Sequence, residues 1–245
     1  MAEHTVRAFD DDIGRLRGMI SQMGGLAEEA IARAMLALGR NDLALAAEVR
    51  AADKAIDVLQ TEVERLAVQV IALRAPMAVD LREVVAALKI AGVVERIGDY
   101  AKNIAKRVPL IESEHRIEPV SILPAMGRMA SEMVRDALDA FAARDVDKAV
   151  RVCRSDTALD DFYDSIFRTL VTYMVENPKT ISQVAHLLFV AKNLERIGDH
   201  ATNVAEMVYF AANGAPMPDR ERGRDLGSAE PNHAAARADQ NGKDT

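Results

Sequence analysis

Glu195-Arg196-Ile197-Gly198-Asp199-His200-Ala201-Thr202-Asn203-Val204-Ala205 has a near copy one hundred residues upstream. That copy reads Glu95-Arg96-Ile97-Gly98-Asp99-Tyr100-Ala101-Lys102-Asn103-Ile104-Ala105, and eight of the eleven positions are identical. At about 100° per residue on a helical wheel, Glu95, Asp99 and Asn103 fall at roughly 0°, 40° and 80°. Ile90, Val94, Ile97, Ala101, Ile104 and Val108 gather near 220°, on the far side. The apolar stripe must face a core, so the acid–acid–amide stripe faces solvent or a partner. Between the two runs a line of small residues, Ala91, Gly98 and Ala105, repeated as Ala191, Gly198 and Ala205. Such a line lets another helix come close, which is a reason to tolerate a mid-helix glycine at about 1 kcal/mol relative to alanine.

The polar stripe is locally unfavourable. Two acids four apart on a helix repel by a few tenths of a kcal/mol, and Asp and Asn are mediocre in helix interiors. One such stripe is most simply a solvated face; its recurrence at matching places argues for a use. Two uses suit the residue types: hard oxygen ligands for a cation, or an acidic strip that recognises a basic partner. The candidate metal ligands are therefore Glu95, Asp99, Glu195 and Asp199, with Asn103 and Asn203 as additional donors. Lys102 and Lys106 flank the first copy where the second has Thr202 and Glu206. The second stripe is expected to be the more negative, and the one to hold metal if only one does.

Working away from the motif, the pattern predicts six helices in two units of three. Ile13, Leu16, Ile20, Met23 and Ala27 alternate in steps of three and four, the spacing of a helix–helix seam. Gly24-Gly25 is expected to loosen this first helix locally. Asn41 or Asp42 caps a second helix through about Leu73, and Arg74-Ala75-Pro76 breaks it. A third helix runs from about Met77 through the first motif to Val108. Pro109, Pro119 and Pro124 mark a linker over 109–124. The cycle then repeats with helices over roughly Ala125–Ala143, to Glu176, and, after Asn177-Pro178, to about Ala212. The predicted organisation is thus a first three-helix repeat over 5–108, the linker, a second repeat over 125–212, and a tail over 213–245 whose composition suits disorder. Each second helix also carries an acid pair, Asp53/Asp57 and Asp156/Asp160. Near a helix start the dipole favours acids; alternatively these four complete the oxygen cluster begun by the motif.

Composition narrows the function. The chain has 245 residues, 49% hydrophobic and 28% charged, with 4% aromatic residues, no Trp and a net charge of −7. This is the palette of packed helices, large enough for a substantial core. The negative charge argues against nucleic-acid binding, which needs clustered Lys and Arg. The single Cys153 excludes an intramolecular disulfide, fits a reducing compartment and sits in an apolar pattern as a small core residue. No run approaches the ~18 apolar residues of a membrane span, so a cytoplasmic protein is expected, reaching a membrane only through partners.

There is no Gly-x-x-x-x-Gly-Lys phosphate loop and no Gly-x-Ser-x-Gly elbow. A di-iron carboxylate bundle wants Glu-x-x-His on two helices, whereas Glu95 and Glu195 are each followed three residues on by glycine. His200 points about 100° off the stripe, as a partner-facing or capping residue, and His186 lies in an apolar run as a buried core histidine. His4, His115 and His233 fall in the termini or the linker. The expectation is a protein that is not an enzyme. The alternative is a carboxylate-bridged metal-binding enzyme or a metal-storage helical bundle.

The doubled Glu-Arg-Ile-Gly-Asp-x-Ala-x-Asn-(Ile/Val)-Ala resembles the PhoU family, the bacterial phosphate-transport accessory and regulatory proteins. Asp80-Leu81-Arg82 after Pro76 and Phe189-Val190-Ala191-Lys192-Asn193-Leu194 before the second motif are also similar to that family, over roughly residues 5–212. The resemblance implies an all-α fold of two tandem, pseudo-symmetric three-helix bundles, commonly a homodimer. It implies a negative regulator of the phosphate-starvation response, bridging the phosphate ABC transporter ATPase and a sensor histidine kinase when phosphate is plentiful. It also implies iron or zinc clusters on the acid motifs, here mapping onto Glu95, Asp99, Glu195 and Asp199.

Overall fold

The computed structural model describes residues 2–111 and 118–218, with side chains over 9–111 and 120–218. Among these residues there are seven α-helical segments: α1 (Ala2–Arg40), α2 (Leu43–Ala52), α3 (Lys54–Arg74), α4 (Val79–Ala105), α5 (Leu123–Ala143), α6 (Val146–Glu176) and α7 (Ile181–Asn213). The expected second helix is divided into α2 and α3 at Asp53. That residue keeps helical angles (φ −52°, ψ −35°), so the two segments form one arm. The first repeat is α1, the α2/α3 arm and α4; the second is α5, α6 and α7. Short 3-10 turns at Val108–Leu110 and Glu118–Ile122 occupy much of the expected linker, and α5 begins at Leu123. Residues 112–117 and the tail from 219 onward lie outside the described residues.

The local chemistry of each break is legible. Asp42 and Asp145 both sit in extended backbone before their helices (φ −87°, ψ 99° and φ −87°, ψ 98°). Their side chains accept from the amides of Leu45 at 2.9 Å and Lys148 at 2.8 Å, satisfying helix-end donors that otherwise have no partner. The residues just before them, Asn41 and Arg144, are both left-handed, at φ 51° and 55°. Two corners built alike from different residues are the structural signature of the duplication. Ala75 closes α3 in a left-handed cap, its amide bonded to the Ile71 carbonyl, and Pro76 bars continuation.

The apolar seam of α1 is buried as its spacing predicts: Ile13, Leu16, Ile20, Met23, Ala27, Ile31 and Met35 are all at most 6% exposed. Burying each large aliphatic contributes roughly 1.5–3 kcal/mol. α1 packs on α4, α4 on α7, α7 on α5 and α5 back on α1, making a central four-helix layer pair flanked by the α2/α3 arm on one side and α6 on the other. One contiguous core runs through both repeats. No helix of the described residues is long and apolar enough to cross a membrane.

Gly24-Gly25 does not loosen α1, which is continuous through it. A Cβ on Gly24 would lie 2.3 Å from Leu138 Cδ1, and one on Gly127 would lie 2.8 Å from Met35 Cγ. These are the same contact made twice about a pseudo-twofold axis, since Gly24 and Met35 correspond to Gly127 and Leu138. The glycines therefore let the two repeats close on each other.

A polar latch reinforces this closure. Glu83 of α4 is only 6% exposed, and its two carboxylate oxygens are bonded to Arg17 of α1 and to Arg144 at the α5–α6 corner. One acid thus ties the first repeat to the second. Removing the acid from such a buried group leaves guanidiniums without a counter-charge, although both reach solvent. Glu83→Ala is expected to cost about 2 kcal/mol, seen as a lower urea midpoint with an unchanged slope. Arg144→Ala should cost less, because its side chain is 58% exposed.

Candidate functional site

The two motif copies lie in the middle of α4 and α7, and each is approached by its own second helix across the motif glycine. A Cβ on Gly98 would lie 2.7 Å from Ile56 Cδ1 and 3.5 Å from Asp53 Oδ1. On Gly198 it would lie 2.3 Å from Leu159 Cδ2 and 3.6 Å from Asp156 Oδ1. The glycine therefore creates the space through which the second-helix acid reaches the motif. Asp53 and Asp156 are buried beside it. The charges of Asp99, Asp57 and Asp53 all act on Glu95, and those of Asp199 and Asp160 on Glu195. Two equivalent acid patches result: Glu95, Asp99, Asp53 and Asp57, and Glu195, Asp199, Asp156 and Asp160.

The amides do not join them. Asn103 Oδ1 accepts from Lys106 Nζ at 3.0 Å, and Asn203 Nδ2 lies 3.3 Å from His200 Nδ1, turned towards the α4–α7 seam. Neither motif stripe is fully exposed; Glu95, Asp99, Glu195 and Asp199 are all half-buried. None of the four forms an ion pair with an arginine among the described residues.

Each patch carries one lysine, from a different place. In the first, Lys102 bridges Asp53 and Asp99, the latter at 3.2 Å. Its hydrogen bond to Asp53, reinforced by the one to Asp99, pushes its pKa up to about 12. In the second, Thr202 is buried and donates to the Asp199 carbonyl at 2.7 Å, contributing no charge. Lys192, which replaces Gly92 of the first copy, instead pairs with Glu195 Oε1 at 2.7 Å and stands over the Tyr163 ring at 5.3 Å. The expected excess of negative charge in the second patch is thus offset by a lysine at the opposite end of the motif. Glu195 lies three residues after Lys192, so helix spacing could have revealed the pair.

Burial pushes the Glu95 carboxyl up, with Asp99 and Asp57 adding to it. Burial likewise raises Glu195, against the hydrogen bond from Lys192. Burial among other acids disfavours the charged form of both, a perturbation that clusters at functional sites. The donors are hard carboxylate oxygens suited to a cation. Among the described residues, however, no three His, Cys, Asp or Glu side chains gather as a metal site. The Lys102 ammonium already holds Asp53 and Asp99 in the first patch. As arranged, the patches do not fit a metal cluster.

The histidines behave differently from expectation. His200 stacks on Tyr100 across the pseudo-dyad, with centroids 5.3 Å apart and 22° between planes. Burial pulls its pKa down. His186 is half-buried rather than in the core, its Nδ1 3.2 Å from Arg107 Nη1, and burial with the Arg107 charge lowers it. Cys153 is a buried core thiol.

Fold and patches together define a tandem-repeat, all-α protein that presents paired anionic surfaces. The PhoU domain model matches residues 20–108 and 123–208. The chain is 56% identical over 227 residues, 93% of this chain and 96% of the relative, to the phosphate-specific transport system accessory protein PhoU homolog of Zymomonas mobilis. It is 36% identical to the accessory protein PhoU of Escherichia coli, covering 86% of this chain and 88% of that protein. The crystal structure of PhoU from Pseudomonas aeruginosa is similar with a TM-score of 0.79 at 36% identity, over 84% of this chain and all of that one. The chain belongs to the PhoU family.

Neutralising the two motif glutamates should stabilise the fold. A carboxyl whose folded pKa is raised weakens the fold above that pKa, and the penalty is relieved as pH falls through it. Glu95→Gln with Glu195→Gln should therefore raise the thermal midpoint at pH 7, through a stability gain on the order of a few tenths of a kcal/mol for each repulsive pair removed. The gain should shrink as pH is lowered towards the ordinary carboxylate range.

Proposed function

We propose that this chain is an accessory regulator of phosphate-specific transport, a non-enzymatic adaptor that restrains the phosphate-starvation response when phosphate is plentiful. The observation that carries the reading is the pair of equivalent acid patches on a chain of this family, whose relatives are named phosphate-specific transport accessory proteins. Acid-rich surfaces that are half-buried and backed by a packed four-helix centre suit docking of basic segments. The partners proposed are a sensor histidine kinase and the ATPase of the phosphate ABC transporter. The chain works in the cytoplasm as a homodimer and meets the membrane only through those partners.

Deleting the gene should leave alkaline phosphatase high in phosphate-rich medium; normal repression would contradict the proposal. Restoring the chain with Glu95, Asp99, Glu195 and Asp199 all changed to Lys should fail to restore repression while the helical circular dichroism stays intact. Retained repression would remove the patches from the mechanism.

Cation loading is a second reading, favoured by one observation: Glu195 Oε2 is buried without a hydrogen-bond partner. Iron or zinc would there require Glu195, Asp199 and the neighbouring acids to draw together. Protein purified from metal-supplemented culture should lose its bound metal on Glu195→Ala with Asp199→Ala; unchanged content by elemental analysis would discard the reading.

A further inference from the structure

We infer that the groove between the C-terminal half of α1 and the N-terminal half of α5 is a docking site for an acidic amphipathic helix of a partner protein. It is lined by residues of α1 and α5, none of them in the acid patches, and stands whether or not those patches serve phosphate signalling. The groove encloses about 520 Å³. Its floor is apolar: Ile31 and Met35 of α1, with Gly127 of α5, where the missing side chain admits Met35. Leu36 forms a wall and is 42% exposed, a large aliphatic left without cover.

The rim carries three arginines, Arg40, Arg128 and Arg135, against one acid, Glu132. Glu28 holds Arg135. Arg40 and Arg128 are exposed and have no ion-pair partner among the described residues. The acids further along the same helix pair are already engaged: Glu28 with Arg135, Glu29 with Arg33, and Asp136 and Asp139 with Lys148. The positive charge of the groove is therefore not balanced from within. On a chain of net charge −7, this is a local reversal of sign over an apolar floor.

Shape and charge together select the occupant. The stretch from Ile31 to Arg40 is about 14 Å long at 1.5 Å per residue, enough to seat two to three turns of a helix. Such a helix would lay apolar residues at i, i+4 and i+7 along the groove against the exposed Leu36. Its flanking Glu or Asp would meet the guanidiniums, whose planar forks match carboxylates.

The probe is a fluorescein-labelled, helix-stapled 14-residue peptide with Leu at those three positions and Glu on both flanks, titrated with the full chain and read by anisotropy. A second peptide carries Lys in place of every Glu. The acidic peptide should bind, and the charge-reversed one should bind at least about tenfold more weakly. Arg40→Glu with Arg128→Glu should weaken the acidic peptide by about tenfold or more, and higher salt should weaken it in the wild type. Arg40→Gln with Arg128→Gln, a milder change at two exposed positions, should lie between, with the thermal melt unchanged. Equal binding of both peptides, no binding of either, or full binding by the Glu variant would overturn the proposal. So would binding confined to anionic phospholipid vesicles, or a sedimenting self-association abolished by the same variants, which would assign the groove to a lipid surface or to a second copy.

Discussion

Everything in this molecule rests on the absence of a side chain at two positions, Gly98 and Gly198. A methyl group at either would stand 2.7 Å or 2.3 Å from an aliphatic carbon of the neighbouring helix. Because the space is empty, the second helix of each repeat lies close enough to bury Ile56 or Leu159 against the motif helix. The same proximity carries Asp53 and Asp156 over the glycine and into range of the motif acids. Packing and electrostatics are thus set by one deletion of volume. A residue that weakens a helix by about 1 kcal/mol locally is what allows the helix to be used.

The two repeats are not independent halves. The glycines at 24 and 127 bring α1 and α5 together, α4 lies along α7, and Glu83 is gripped from both repeats by Arg17 and Arg144. A shared centre follows, and each anionic patch is built on one of its helices, α4 or α7. The patches are equivalent in their acids and different in their lysines. Lys102 ties the second helix to the third in the first repeat, while Lys192 in the second pairs within α7 and leans on Tyr163. The same anionic frame is thereby tuned twice.

Most of the fold was legible because it depends on local rules. Three-four spacing located the buried faces, the Asn41-Asp42 pair located a helix start, and the proline-bearing corners located the ends. The all-α duplication and the family followed from the repeated motif. What escaped the sequence was long-range. Nothing local says that Gly24 faces Leu138, so a glycine read as a weak point is in fact a contact. Nothing local places Glu83 between two arginines 66 and 61 residues away. The stripe of Glu95 and Asp99 was correctly placed off the core, yet it is half-covered because the neighbouring arm overhangs it. Asn103 and Asn203 share the wheel position of the acids but turn to Lys106 and His200, a choice made by neighbours that a wheel does not contain.

The stack of Tyr100 on His200 has an implication for descent. In an assembly of two identical chains, a side chain sitting on the symmetry axis can meet only its own twin, so whatever occupies that point must tolerate itself. Joining both units in one polypeptide lifts the restriction. Here the hydroxyl of Tyr100 lies 3.4 Å from His200 Nε2, a pairing of unlike rings that no symmetric ancestor could have made at its centre. The two repeats therefore differ at the very point where they meet, and the chain has a left and a right.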